Sequence, residues 1–370
     1  NHIYANDLYT DNRFHLLRQI NLHQIPIHET KKFDSKRHVP NHHFLKYKQQ
    51  LLFSFFYPMK KVYICLRNKL MNQNPLVTVI CTCFNHQNFV IETIESVLNQ
   101  SYSNIEIIIV DDCSSDDSIS IISRFLEKHP EIKFIQNQQN LGNTKTFNKA
   151  AKQANGSYLI DLACDDILLP DCISIQLESF LKSNIISTGI VFGNSEYIDE
   201  NGNYLSDYFI TDLNKKVIDK KLFTTNLIQL LEGGLVMNSV SAMINKSIFD
   251  ELNGYDETLA FEDLDFWIRV LEKYQIEFID EIITQKRDLK SSLGNQFFKN
   301  NETANKIDSS MNVIFSKVIK KHKKDKIVLK AVLKRIHYCI DNSIKNKKFR
   351  FVFLYGIQKL KVHYFVLFAK

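Results

Sequence analysis

Glycine (10) and proline (6) are scarce in this 370-residue chain, which argues against long flexible linkers. Seven cysteines make an odd number with no regular framework. Cys81 and Cys83 lie two apart on one predicted strand face. Without the clustered pairs that hold zinc, the thiols read as reduced, as in a cytosolic compartment. No uninterrupted apolar run reaches the roughly 18–20 residues that span a bilayer. No charged, apolar, small-residue leader opens the chain. The first residue is Asn1 rather than Met, as expected of a fragment.

What is present fits a globular protein: 44% of residues are hydrophobic and 24% charged. The length suits one large domain with appendages, or two domains. The net charge of +6 is unevenly spread. Lysines crowd the chain from residue 306 onward, while acids cluster in the middle. A basic end points to phosphates, of anionic lipid or of nucleic acid.

Residues 1–74 form an N-terminal extension of unclear role. It carries scattered histidines and an aromatic run, Leu51-Leu52-Phe53-Ser54-Phe55-Phe56-Tyr57. The texture changes at Pro75. Residues 77–82, 105–110, 133–136 and 158–162 read as buried strands, rich in β-branched residues. Helical spacing separates them at 88–100, after Ser114-Ser115-Asp116-Asp117, and at 147–154, where Gly156 stops the helix. Continuously apolar strands alternating with helices predict a mostly parallel α/β sheet covered on both faces. Further strands are expected at 190–198 and 235–244, a short helix from 248, and an amphipathic helix at 264–274. Beyond residue 300 only helical patterns remain.

Ligands of such sheets bind beyond the carboxyl ends of the strands. Thr82, Asp112 and Asp165 all fall there, so one shared site is expected. Carboxylates at strand ends are costly to bury unless they meet a cation or a polar ligand.

An ordered set of short motifs then becomes specific. Residues 77–85 precede Val97-Leu98-Asn99-Gln100-Ser101-Tyr102 and Val110-Asp111-Asp112-Cys113-Ser114. Asn140-Leu141-Gly142, Asn148 and Gly156-Ser157-Tyr158 follow. Asp165-Asp166 with Pro170, Gly254-Tyr255-Asp256 and Glu262-Asp263 complete the set. Together it resembles the family-2 glycosyltransferases, over about residues 75–285. The resemblance implies a GT-A type Rossmann-like fold, with residues 75–300 as catalytic domain and 301–370 as a basic helical region. It also implies transfer of a sugar, with inversion, from a nucleotide-diphosphate donor, expected to be a UDP-sugar. The acceptor would be a glycan or glycolipid in surface-polysaccharide assembly.

By that resemblance Thr82 contacts the nucleotide base, and Asp112 its edge or the ribose. Asp165 stands at the second position of the family's DXD motif and would hold Mn²⁺ or Mg²⁺ against the diphosphate, a task for hard oxygen ligands. The first position is Ala163, a departure that puts metal affinity in question. Asp161 sits on the same strand face. Asp263 is the expected general base, with Glu262 as the alternative, since a carboxylate suits proton removal from an attacking hydroxyl. A helix N-terminus is expected to keep Asp263 ionised. Arg287 is expected near the nucleotide sugar, in a loop with Lys286 and Ser291-Ser292. Trp267 reads as core.

Basic residues beside Phe, Tyr and Leu near the C-terminus resemble a peripheral, interfacial membrane segment, at the inner face of a membrane. Lys359 and Lys361 argue against a spanning helix. A nucleotidylyltransferase would want a Gly-rich basic loop where Cys83-Phe84-Asn85-His86 stands. A non-catalytic membrane or nucleic-acid adaptor on a degenerate transferase fold remains the alternative, with Ala163 as its support; no nucleic-acid partner is expected of the enzyme.

Overall fold

The computed structural model describes residues 74–183, 187–233, 238–290, 299 and 301–368. The expectations for the N-terminal extension and for Ser291-Ser292 lie outside the described residues.

The first half alternates as the apolar runs require. Its elements are β1 (Val77–Cys83), α1 (Val90–Leu98), β2 (Ile105–Asp111), α2 (Ser118–Leu126), β3 (Lys133–Gln136), α3 (Asn143–Ala151) and β4 (Tyr158–Ala163). Strand β1 is buried at every position. Its one hydroxyl near the start, Thr78, is satisfied by Glu106 and by the amide of Gly156 at 2.9 Å. Gly156 is needed for that approach: a Cβ there would stand 2.5 Å from the Thr78 backbone nitrogen. The glycine therefore seats the chain against β1. Helix α3 has already ended at Ala151, and it begins at Asn143, a turn earlier than the apolar spacing suggests.

The second half comprises β5 (Ile167–Leu168), α4 (Cys172–Lys182), β6 (Thr188–Ile198), β7 (Tyr204–Asp207), α5 (Leu227–Glu232), β8 (Ala242–Asn245), α6 (Lys246–Glu251), α7 (Glu262–Leu271) and β9 (Gln275–Arg287). Three long helices close it: α8 (Glu302–Lys321), α9 (Lys326–Lys345) and α10 (Phe349–Phe368). The strand expected over 235–244 is shorter, and 3₁₀ turns at Ser239–Ser241 and Lys220–Thr224 lie outside the sheet.

All nine strands form one sheet in the order β3-β2-β1-β4-β8-β6-β9-β5, with β7 beside β6. The β3-β2-β1-β4 half is parallel, as is the β6–β9 pair, while β8 runs antiparallel to both neighbours. The expected mostly parallel sheet is thus present, with an antiparallel strand at its centre. One face packs against α1, α2 and α4 through Ile94, Ile122, Ile173 and Phe180. The other buries Phe147, Phe192 and Trp267 together with Phe315 of α8 and Tyr355 of α10. Trp267 meets Phe192 edge-on at 4.9 Å, deep in this core.

Candidate active site

Register places three strand ends side by side. Thr82 pairs with Val110 of β2 on one side and Ala163 of β4 on the other. It is buried, and its carbonyl accepts from the Cys164 amide at 2.9 Å. After β1 the chain turns through Asn85, whose φ is +59°. Asn85, His86 and Gln87 are laced to the turn after β2 by hydrogen bonds to Ser114, Ser118 and Asp116.

Asp111 and Asp112 end β2, and both are spent on the fold. Asp111 accepts from the Ser114 amide and hydroxyl. The Asp112 carboxylate accepts from Asn137 Nδ2, the Leu141 and Gly142 amides and Thr146 Oγ1, each at 2.8 Å. Three of the four reach Oδ1 and one reaches Oδ2, so Oδ2 keeps acceptor capacity. Asp112, expected at the base or ribose, fastens the 140–142 turn and the start of α3.

Arg287, expected near the nucleotide sugar, is engaged within the fold. It is 2% exposed. Its guanidinium donates to the Asp165, Asp199 and Glu200 carbonyls and to Glu92 Oε2 at 2.6 Å, and lies over the Phe89 ring. Its amide donates to Asp166 Oδ1 at 2.9 Å. It is a strut under the site, not an open phosphate contact. Side chains alternate along a strand, and the neighbouring Lys286 occupies the other face, half-buried beside the rings of Tyr197 and Tyr208. The sequence named both basic residues; strand alternation was the signal that could have separated them.

Lys286 acts on two of the acids at the strand ends, Asp166 and Asp263. Asp165 is buried, and its Oδ2 lies 3.9 Å from His86 Nε2. His86 Nδ1 is buried without a partner among the described residues. Burial, then the neighbouring Asp165, pushes the Asp166 carboxyl up, while Lys286 and Arg287 oppose the shift. Asp161 is raised well above the ordinary carboxylate range by burial and then by Glu262 and Asp263; the Tyr255 hydroxyl donates to it. The cleft therefore unites the end of β4 with the start of α7.

Helix α7 opens at Phe261 without a side-chain cap. Asp263 Oδ1 accepts from the adjacent Leu264 amide at 2.7 Å, and Ser239 also bonds the carboxylate. Glu262 takes weaker support from Asn143 Nδ2 at 3.4 Å. Burial and then Asp263 push Glu262 up, and burial raises Asp263. Burial thus opposes the helix N-terminus, which the sequence reading had taken to keep Asp263 ionised.

The loop before α7 is held by Gly254 at φ +65°, where a Cβ would meet Asn148 Oδ1 at 2.9 Å. Asn148 donates to the Tyr255 carbonyl and accepts from its amide, so α3 fixes this loop. The tyrosines were missed because they lie on β6 and after β7, where no motif marks them. Tyr197 and Tyr208 stack at 5.7 Å.

Among the described residues no three His, Cys, Asp or Glu side chains are arranged to hold a metal ion. Asp165 fits a hard cation as a single protein carboxylate, with remaining ligands left to diphosphate and water. Ala163 offers no ligand.

The sequence model of glycosyl transferase family 2 matches residues 78–252. An uncharacterized glycosyltransferase of Methanocaldococcus jannaschii is 31% identical over 58% of this chain and 71% of its own. One from Rickettsia bellii is also 31% identical, over 67% of this chain but 35% of its own length, so the chain spans about a third of that relative. Among solved structures, S. aureus TarS with UDP-GlcNAc superposes with a TM-score of 0.54 at 15% identity, over 72% of this chain and 74% of that one. The mannosyltransferase PcManGT of Pyrobaculum calidifontis, with GDP-Man and Mn²⁺, gives 0.50 at 13% identity, over 86% and 98%. These likenesses show a GT-A-like fold.

Proposed function

The chain belongs to glycosyl transferase family 2, and on that premise we propose that it transfers a sugar, with inversion, from a nucleotide-diphosphate donor to a glycan or glycolipid hydroxyl. The observation that carries this is the gathering of Asp161, Glu262 and Asp263 at the strand ends, with Lys286 acting on Asp263 and on Asp166 beside Asp165. In the proposed step the acceptor oxygen bonds to the anomeric carbon. The bond from that carbon to the diphosphate oxygen breaks, its electron pair leaving with the nucleoside diphosphate. The acceptor proton passes to Asp263, which must be ionised to take it; Glu262 is the alternative base.

Thr82, between the ends of β2 and β4, would face the base. Asp165 would hold Mn²⁺ or Mg²⁺, which when bound neutralises charge on the departing diphosphate. The Mn²⁺ of the Pyrobaculum neighbour supports that assignment. A UDP-sugar is the favoured donor, in line with the TarS complex. Stacked Tyr197 and Tyr208 would form the acceptor wall, an apolar platform beside the charged floor. The proposed setting is surface-polysaccharide assembly at the cytoplasmic face of a membrane. The family and the basic C-terminal helices support it.

A panel of nucleotide sugars, read by diphosphate release with and without Mn²⁺, tests this reading. One donor class should turn over, excess chelator should stop it, and Asp165→Ala should not recover on adding metal. Full transfer in chelator would remove the metal. Silence across the panel would favour the adaptor alternative, for which Ala163 speaks.

A further inference from the structure

Residues 301–370 carry seventeen Lys and Arg against four Asp and Glu, and no acid follows Asp341. Helix α10 divides lengthwise. Phe351, Tyr355, Gln358 and Val362 are buried. Tyr355 Oη donates to Asp308 at 3.0 Å, Gln358 Nε2 to Asn312 Oδ1 at 3.0 Å, and Lys348, just before the helix, to Asp308 Oδ2 at 2.7 Å. The opposite face is bare: Phe349, Phe353, Leu360, Tyr364 and Leu367 are 60–71% exposed. At 3.6 residues per turn these five fall within an arc of about 60°. Arg350 and Lys361 flank the arc on one side, Lys359 and His363 on the other.

A groove of about 480 Å³ between α8 and α10 borders the Lys361 side of this stripe. Lys317, Lys320, Lys361, Ser316 and Asn312 line it, with Gln358, whose Oε1 is buried without a partner among the described residues. Lys317 is committed to Asp256 and Asp265, which leaves the exposed Lys320 and Lys361 as uncommitted cations.

We propose that α10 lies flat on a bilayer containing anionic lipid, its aromatic stripe in the interface and the α8–α10 groove on a phosphate headgroup. Apolar area flanked on both sides by cations, on a helix that carries no acid, is complementary to such a surface. By length and composition α10 is also the one helix among the described residues that could cross a membrane. Crossing would strip Tyr355 and Gln358 of their partners on α8, so the in-plane position is the one the packing allows.

The test is flotation of the full chain with vesicles of phosphatidylcholine alone or mixed with phosphatidylglycerol, at low and high salt, without donor or metal. Binding should be at least about tenfold stronger on the anionic vesicles and fall with salt. Phe353→Asp with Leu360→Asp should abolish it while the thermal transition is kept. Lys320→Glu with Lys361→Glu should weaken binding to the anionic vesicles alone. No flotation, or undiminished flotation of the Phe353/Leu360 variant, would overturn the proposal. So would a vesicle-free, concentration-dependent doubling of mass that the same variant abolishes, since a second copy would then own the face. The readout is independent of catalysis: a chain that floats but transfers no sugar sinks the transferase reading and keeps this one.

Discussion

Two groups of carboxylates stand within this molecule in opposite conditions. Asp112 and Asp265 are buried and firmly held: Asp112 by four donors, and Asp265 by the charged donors of Arg269 and Lys317, each at 2.7 Å. Asp161, Glu262 and Asp263 are half-buried, thinly hydrogen-bonded and crowded by one another, and burial raises all three. Firmly bonded acids hold the frame in place. Acids short of partners keep capacity for something that arrives. Asp263 and Asp265 show how local the difference is, since they share one helical turn.

Replacing a member of each group should therefore break different things. The largest effect is expected from Asp263→Asn, which should lower turnover about 10²-fold or more with the thermal transition and donor affinity kept, because general base catalysis contributes on that scale. Single-turnover rates beside nucleotide binding would check it, and near-native transfer by the variant would remove Asp263 from the role.

Asp112→Ala should instead cost stability. It removes the acceptor of the buried Asn137 and Thr146 side chains and of the Leu141 amide, at about 1–3 kcal/mol for a buried group left unsatisfied. Denaturant unfolding would show a lower midpoint with at least that loss. A variant of native stability but absent nucleotide binding would return Asp112 to the donor site.

The smallest effect concerns pH. A base raised by burial loses activity as pH falls through its elevated pKa, so the acid limb of kcat/KM should lie above the ordinary carboxylate range. Lys286 opposes the rise in Asp263, so Lys286→Gln should move that limb further up. A limb that stays put would detach Lys286 from the base.

The parallel half of the sheet was legible because each strand is a continuous apolar run ending in turn residues. β9 was not: Gln275–Arg287 mixes acids with apolar residues, and its burial follows from lying between β6 and β5, which no local pattern announces. The acids of the site were legible as motifs, yet their division of labour was not. The motifs showed neither the four donors that hold Asp112 nor the Glu92 and turn-carbonyl partners of Arg287. Those partners lie far away in sequence. Lys286, Tyr197 and Tyr208 meet only through strand pairing, so sequence spacing carried no trace of them.

Lys317 links Asp256 and Asp265, across the loop and the first turn that carry Asp263. The mounting of that turn is therefore stiff, clamped from the C-terminal helices rather than hung on a loop. The base is thereby set in the fixed jaw of a vice rather than on a hinge.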